Sequence, residues 1–182
     1  SAFLSAGQRC TCARRLIVVN DDKFIKELAR MSSNIKQGHP EDDDVFLGPV
    51  VTKDQADELL EAQASLVKQG GKILLEMKRR DDLGDAYVSP GIIDCTNIKE
   101  ASDEEYFGPL LQVYKVADFD EAIKLANGTS YGLSAGFLSD NKKLYEKFFK
   151  KTKAGLINWN NQLTGASSGS PFGGIGDSGN HR

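Results

Sequence analysis

Histidine and cysteine are scarce in this chain, with two and three among 182 residues. Three cysteines, an odd number spread over a chain of this size, do not make the disulfide framework of a secreted protein; a reducing, cytoplasmic setting is the expectation. Cys10 and Cys12 lie one residue apart where metal knuckles use two. No second cysteine or histidine pair completes a ligand set, so no metal site is expected. No run of eighteen apolar residues occurs, which excludes a membrane-spanning helix. The apolar start, Ser1-Ala2-Phe3-Leu4-Ser5-Ala6, is too short for a signal peptide, and no basic region precedes it. Positive charge is not in excess either: 23 Lys and Arg stand against 26 Asp and Glu, a net charge of −3. With no basic cluster interleaved with aromatics, nucleic acid is not an expected partner.

What the chain does have is the balance of an ordinary globular protein, 40% hydrophobic and 27% charged. Its length suggests one domain, residues 1–182, able to bury its own core. Arg15-Leu16-Ile17-Val18-Val19 is a β-branched run that predicts a strand. Asn20-Asp21-Asp22 offers helix-cap chemistry, and Phe24, Ile25, Leu28, Met31 and Ile35 recur at helical spacing until Gly38, His39 and Pro40. A second helix, capped by Thr52 or Asp54, carries Ala56, Leu59, Leu60, Ala64 and Val67 and stops at Gly70-Gly71. Strands are expected at residues 72–75, at 87–93 with a break at Pro90 that puts it near an edge or bend, and at 110–116, half-buried. The helix from Asp118 to Asn127 carries acids in its first turn, where the dipole favours them. A glycine-containing strand at 132–138, a helix at 144–151 and a buried strand at 154–159 follow, then a polar, glycine-rich loop. The alternation predicts an α/β fold with a mostly parallel sheet and helices on both faces, whose active loops would collect at the carboxyl ends of the strands.

Three stretches stand out. Ser5-Ala6-Gly7-Gln8-Arg9-Cys10-Thr11-Cys12-Ala13-Arg14-Arg15 places a thiol among three arginines, and positive surroundings favour the nucleophilic thiolate; an inert packed thiol is the alternative. Cys95 is taken as a bystander. Glu104-Glu105-Tyr106-Phe107-Gly108-Pro109 fits a solvated acidic turn, or a carboxylate beside a phenyl ring able to hold a ribose diol and a flat heterocycle. The run from Asn158 to Gly174 is dense in hydrogen-bond donors and carries Trp159 and Phe172, anchors that linkers rarely have. Asn127-Gly128-Thr129 fits a glycosylation acceptor without meaning in a cytoplasmic protein. The glycines from Gly173 to Gly179 precede no plain helix, so they make no phosphate cradle.

Together, and in this order, the stretches resemble the NAD(P)-dependent aldehyde dehydrogenase family. Phe3 followed by Gly7-Gln8-Arg9-Cys10 resembles its active-site cysteine signature, and residues 104–109 resemble its Glu-Glu-x-Phe-Gly-Pro motif. Glu121-Ala122-Ile123 to Ala126-Asn127, then Tyr131-Gly132-Leu133-Ser134-Ala135-Gly136, are similar to the helix and strand that follow it. Pro171-Phe172-Gly173-Gly174 matches its C-terminal motif.

The resemblance implies the family's catalytic domain. It also implies a mechanism in which Cys10 attacks an aldehyde carbonyl to give a thiohemiacetal, hydride passes to NAD, and water hydrolyses the resulting thioester. The Cys10 backbone N–H would be one oxyanion donor. By position, Glu105 would hold the nicotinamide ribose and Phe107 would pack near the nicotinamide. Thr164-Gly165-Ala166 resembles an aldehyde-anchor loop that offers backbone N–H groups to a substrate carboxylate. Arg9 and Thr11 flank the nucleophile and are candidates for contacts to a small-molecule aldehyde with several carboxylates, whereas Arg14 and Arg15 are given a structural role. The family's NAD-binding part, general-base glutamate and oxyanion asparagine precede the cysteine in full-length members and are not among these 182 residues. The expectation is therefore a catalytic-domain fragment, inactive alone, from a full-length homo-oligomer whose NAD is bound mainly by a domain not in this chain. A stand-alone binding domain that keeps the fold without the chemistry is the rival expectation.

Overall fold

A computed structural model describes residues 1–99, 102–164 and 166–179. Strand β1 (Arg15–Val19) leads through helix α1 (Asp22–Ser33) and helix α2 (Lys53–Lys68) to β2 (Lys72–Leu75), β3 (Gly91–Asp94) and β4 (Leu110–Val116). Helix α3 (Phe119–Ala126), β5 (Ser134–Phe137), α4 (Lys142–Lys151) and β6 (Leu156–Trp159) complete the order. Short 3-10 turns cover Leu4–Gly7 and Gly176–Ser178. Four strands form one sheet in the order β1-β4-β3-β2, with β2 antiparallel to β3 and the other pairs parallel. A separate parallel pair, β5-β6, makes a second sheet. The α/β fold with a mostly parallel sheet is as expected; its division into two sheets is not.

The helices begin where side-chain acceptors cap them. Asp21 accepts from the Phe24 N–H at 2.8 Å, Thr52 from Gln55 at 3.1 Å and Asp118 from Glu121 at 2.9 Å, each satisfying a donor the first turn leaves open. Helix α1 ends at Ser33, five residues before Gly38, and Ile35 continues as irregular chain packed against the core. Its buried positions are Ile25 and Ser32, seven apart on one face, whereas Phe24 and Met31 are exposed. In α2 the stripe runs through Ala56, Leu59, Ala62, Gln63 and Leu66, with Val67 and Ala64 outside it.

The core lies on β3 and β4. All four β3 residues are buried and the strand is internal; Pro90 immediately precedes it and does not mark an edge strand. Strand β4 is expected from its sequence to be half-buried, yet six of its seven residues are buried. It is central, covered on both faces as parallel strands usually are. Leu47, Leu59, Leu66 and Met77 belong to the same buried cluster as Ile92, Ile93, Leu110 and Val113. Strand β6, expected to be buried, is half-buried. Because β1, β4 and β3 run parallel, the segments that precede them emerge at one edge of the sheet, and this sets up the candidate site.

Candidate active site

Cys10 lies just ahead of β1, and residues 104–109 just ahead of β4. Both stretches therefore meet at the amino ends of parallel strands, not at the carboxyl ends where active loops are expected. The approach to Cys10 is unusual: Ser5 (φ 52°), Ala6 (φ 53°) and Gly7 (φ 67°) are left-handed in succession. Two of the three are not glycine, and each such residue costs about 1–2 kcal/mol. That conformation persists only where the surroundings over-determine it. The Gln8 N–H donates to Ser5 O at 3.0 Å. The Gln8 side chain accepts from the Val51 N–H at 2.7 Å and donates to Pro49 O at 3.4 Å. Gly7 lies so close to the neighbouring loop that a Cβ there would stand 2.1 Å from Gly108 O. Gly108 in turn lies on Leu59, which a Cβ would meet at 2.2 Å. The thiol loop, the acidic motif and α2 are thus stacked without space for a side chain between them.

The three thiols are sorted by this packing. Cys10 is exposed, in a turn closed by the Cys12 N–H donating to Arg9 O at 2.9 Å. Cys12 is buried and its thiol donates to Leu4 O at 3.5 Å. Cys95 is fully buried, and burial, helped by the Asp94 charge, pushes its thiol up to about 12. A thiol so placed stays protonated near neutrality and is no nucleophile.

The arginines do not form a single positive cluster. Arg9 is exposed and donates to the Ser5 hydroxyl at 3.0 Å. Arg15 turns to the end of α3, donating to Leu125 O and, at 3.4 Å, to Gly128 O. Arg14 runs between the two loops: its Nη2 donates to Arg9 O at 3.0 Å and to Glu105 Oε1 at 3.3 Å, while its guanidinium lies over the Phe107 ring, 4.8 Å from the centroid. Thr11 is buried.

Glu105 and Phe107 are thereby held beside the cysteine turn, although 91 residues separate Glu105 from Arg14 in sequence. The segment ahead of them is fixed by Asp103, which accepts from the Ser130 N–H at 2.6 Å and the Thr129 hydroxyl at 2.6 Å. Burial works against the Asp103 charge, but these hydrogen bonds and the Arg15 charge outweigh it and hold the carboxyl below the ordinary aspartate range. An open cleft of about 610 Å³ runs from Glu58 and Glu61 on α2 to Glu104, Glu105, Tyr106 and Tyr131.

The loop after β6 is anchored as well. Trp159 donates from Nε1 to Ser139 O at 2.9 Å and stacks on Tyr145 with centroids 4.4 Å apart. The Leu163 N–H donates to Ser1 Oγ at 3.0 Å, tying this loop to the segment that leads into the cysteine turn. Thr164 is 1% exposed, with a buried hydroxyl that has no partner among the described residues. Ala166 is exposed, and Gly165 lies outside the described residues. Gly173 O packs so tightly on Gly155 that a Cβ there would stand 1.8 Å away, and the Ile175 N–H donates to Gly132 O at 3.0 Å. These contacts hold Gly173 and Ile175 against Gly155 and Gly132.

Arg14 and Asp103 are the residues that sequence reasoning passes over as site-builders. The only signal for Arg14 is its charge, next to a cysteine and opposite a distant glutamate. Among the described residues, no group of three His, Cys, Asp or Glu is placed to hold a metal, and no helix is long and apolar enough to cross a membrane.

Residues 1–182 match the sequence model described as "Aldehyde dehydrogenase family". The N-succinylglutamate 5-semialdehyde dehydrogenase of Chromobacterium violaceum is 51% identical and that of Hahella chejuensis 49%, each over all of this chain and 38% of its own length. The chain thus spans under two-fifths of these curated relatives. The solved structure of a mutant of the Thermus thermophilus 1-pyrroline-5-carboxylate dehydrogenase superposes with a TM-score of 0.85 at 31% identity, over 97% of this chain and 34% of that one.

Proposed function

The chain belongs to the aldehyde dehydrogenase family, and from that premise we propose that it is the cysteine-bearing catalytic part of a longer enzyme. The proposed reaction is oxidation of N-succinyl-L-glutamate 5-semialdehyde to N-succinyl-L-glutamate with NAD, a step of arginine catabolism in the cytoplasm. The whole-chain identity to two relatives carrying that name supports the substrate. So do Gly7-Gln8-Arg9-Cys10-Thr11-Cys12-Ala13-Arg14-Arg15, Asn158-Trp159-Asn160 and Gln162-Leu163-Thr164-Gly165-Ala166, which resemble that branch of the family.

The observation that carries the proposal is the sorting of the thiols, with Cys10 alone exposed in a turn pinned against Glu105 and Phe107. In the proposed mechanism the Cys10 thiolate adds to the aldehyde carbon, converting a difficult oxidation into two easier steps. Negative charge then develops on the former carbonyl oxygen, and the Cys10 N–H is a fixed donor for it. Thr164, Gly165 and Ala166 anchor a substrate carboxylate, and Arg9 and Thr11 flank the nucleophile; of these two, Arg9 has the exposed side chain able to reach substrate, and Thr11 is buried.

The donor set fits a nicotinamide dinucleotide. Arg14 occupies one Glu105 oxygen and leaves the other for a ribose hydroxyl. Phe107, half-buried under the Arg14 guanidinium, is the aromatic side chain near which the flat nicotinamide would pack. When bound, the nicotinamide supplies the hydride acceptor. The parts of the site not contained in this chain belong, in this proposal, to the rest of a homo-oligomeric enzyme, so the 182-residue chain alone is inactive.

Thr164-Gly165-Ala166 and the superposition on the pyrroline-carboxylate dehydrogenase favour one second reading, glutamate semialdehyde as substrate. The test compares the two aldehydes with the full-length protein carrying this sequence. The proposal expects kcat/KM for the succinylated aldehyde to exceed that for glutamate semialdehyde by at least tenfold. A reversed preference selects the second reading, and turnover by the isolated chain contradicts the fragment assignment.

A further inference from the structure

Among the described residues, Arg14 is the side chain with two buried polar atoms that lack a partner. Its side chain is 13% exposed, yet Nε and Nη1 are buried with no hydrogen-bond partner among the described residues. Buried polar groups are almost always satisfied, so an exception asks for a reason. Arg14 is also fixed at its backbone, whose carbonyl accepts from the Gln112 N–H of β4 at 3.0 Å. A side chain that served only to fill space between two loops would not need a guanidinium with spare donors at that depth.

Its contacts show what the guanidinium does. One end, Nη2, donates to Arg9 O, the carbonyl that also closes the turn holding Cys10. The same nitrogen donates to Glu105, and the planar group covers Phe107. An ammonium could reach one of these partners but has neither the fork nor the flat face to serve all three. We propose that Arg14 is a positioning residue that sets Glu105 and Phe107 in register with the Cys10 turn, so that cofactor binding and thiol placement are adjusted together. This inference rests on the proposed function, because it takes Glu105 and Phe107 as the surface that meets the nicotinamide riboside. Its content is a coupling: Glu105 binds the cofactor well only when Arg14 holds it.

The experiment is a double-mutant cycle in the full-length protein, read by calorimetric NAD dissociation constants and by the rate of Cys10 alkylation, not by turnover alone. R14Q and E105Q are each expected to weaken NAD binding about tenfold. The double variant should be weakened about tenfold as well, not about a hundredfold, because each change removes the same arrangement. R14Q is also expected to change the Cys10 alkylation rate several-fold, since the Arg9 carbonyl loses its guanidinium donor and keeps only the Cys12 N–H, whereas E105Q leaves that rate within twofold. R14K keeps the charge without the fork and should fall between wild type and R14Q in NAD affinity; this variant also serves if R14Q does not fold. Multiplying effects in the double variant, or R14K with wild-type affinity, overturns the positioning role while leaving the proposed function standing. A wild-type protein that binds no NAD and oxidises no aldehyde overturns both.

Discussion

Replacing Gly7 by alanine tests whether the cysteine turn is locked by backbone contact. Gly7 has φ +67°, and a Cβ would lie 2.1 Å from Gly108 O, 2.4 Å from Gly108 C and 2.9 Å from Pro109 N. All three atoms are backbone, so no side chain can swing aside. The left-handed conformation costs alanine about 1–2 kcal/mol. Forcing a methyl into packed structure adds about 1–3 kcal/mol, so Gly7→Ala should destabilise by about 2–5 kcal/mol. Against a typical stability of about 5–15 kcal/mol this is a large loss. With a urea slope of about 2 kcal/mol/M, the unfolding midpoint of the chain should fall by about 1–2.5 M. Gly70→Ala is the control for conformation alone, since Gly70 has φ +105° but nothing within 4 Å of its Cβ position. Gly173→Ala, with open space and no positive φ, should be nearly silent. A Gly7→Ala midpoint no lower than that of Gly70→Ala would refute the idea that the two loops are locked against each other.

Burial pushes the Asp94 carboxyl up, but the Thr96 hydroxyl and N–H and the Lys115 ammonium outweigh it, leaving Asp94, like Asp103, below the ordinary aspartate value. A depressed native carboxyl stabilises above the unfolded value of about 3.9 and loses that contribution as pH falls through the native value. Acid unfolding monitored by circular dichroism should therefore steepen below about pH 4, and less so in D103N; an unchanged acid limb contradicts this. At the other extreme, burial holds the Cys95 thiol and the Tyr114 phenol each near 12. Raised native values mean that stability is full below the unfolded thiol value of about 8.5 and declines as pH rises from there towards the native values. Cys95→Ala should remove the thiol's share of that slope.

Much of the architecture is legible locally, and the failures have physical causes. Asp21, Thr52 and Asp118 announce helix starts because a cap is a three-residue event. Strand β4 reads as half-buried because Gln112 and Tyr114 look polar, yet the Tyr114 hydroxyl donates to Gln112 Oε1 at 2.8 Å and each conceals the other. The α2 stripe is misplaced for a similar reason: Gln63 is buried because its amide accepts from Met77 N–H at 2.7 Å and donates to Met77 O at 3.0 Å. At the candidate site, Cys10, Glu105 and Phe107 are proposed from motifs in order, and the structure brings their two loops together. The left-handed run at Ser5 and Ala6 cannot be, because neither residue favours it and the forces that impose it come from Gly108, Pro49 and Val51. Arg14 reads as merely structural because its partners lie far along the chain, and nothing in its neighbourhood marks a side chain that spans two loops.

In the proposed mechanism Cys10 is the nucleophile and Cys12 is only its neighbour. The direct measurement is mass spectrometry of the full-length protein quenched during turnover with the semialdehyde and NAD. Both thiols fall in the short stretch between Arg9 and Arg14, so fragment ions between Cys10 and Cys12 must assign the site. A substrate-derived acyl group is expected on Cys10, absent from Cys10→Ser along with turnover. An acyl group on Cys12, or a Cys10→Ser variant that turns over like wild type, would contradict it.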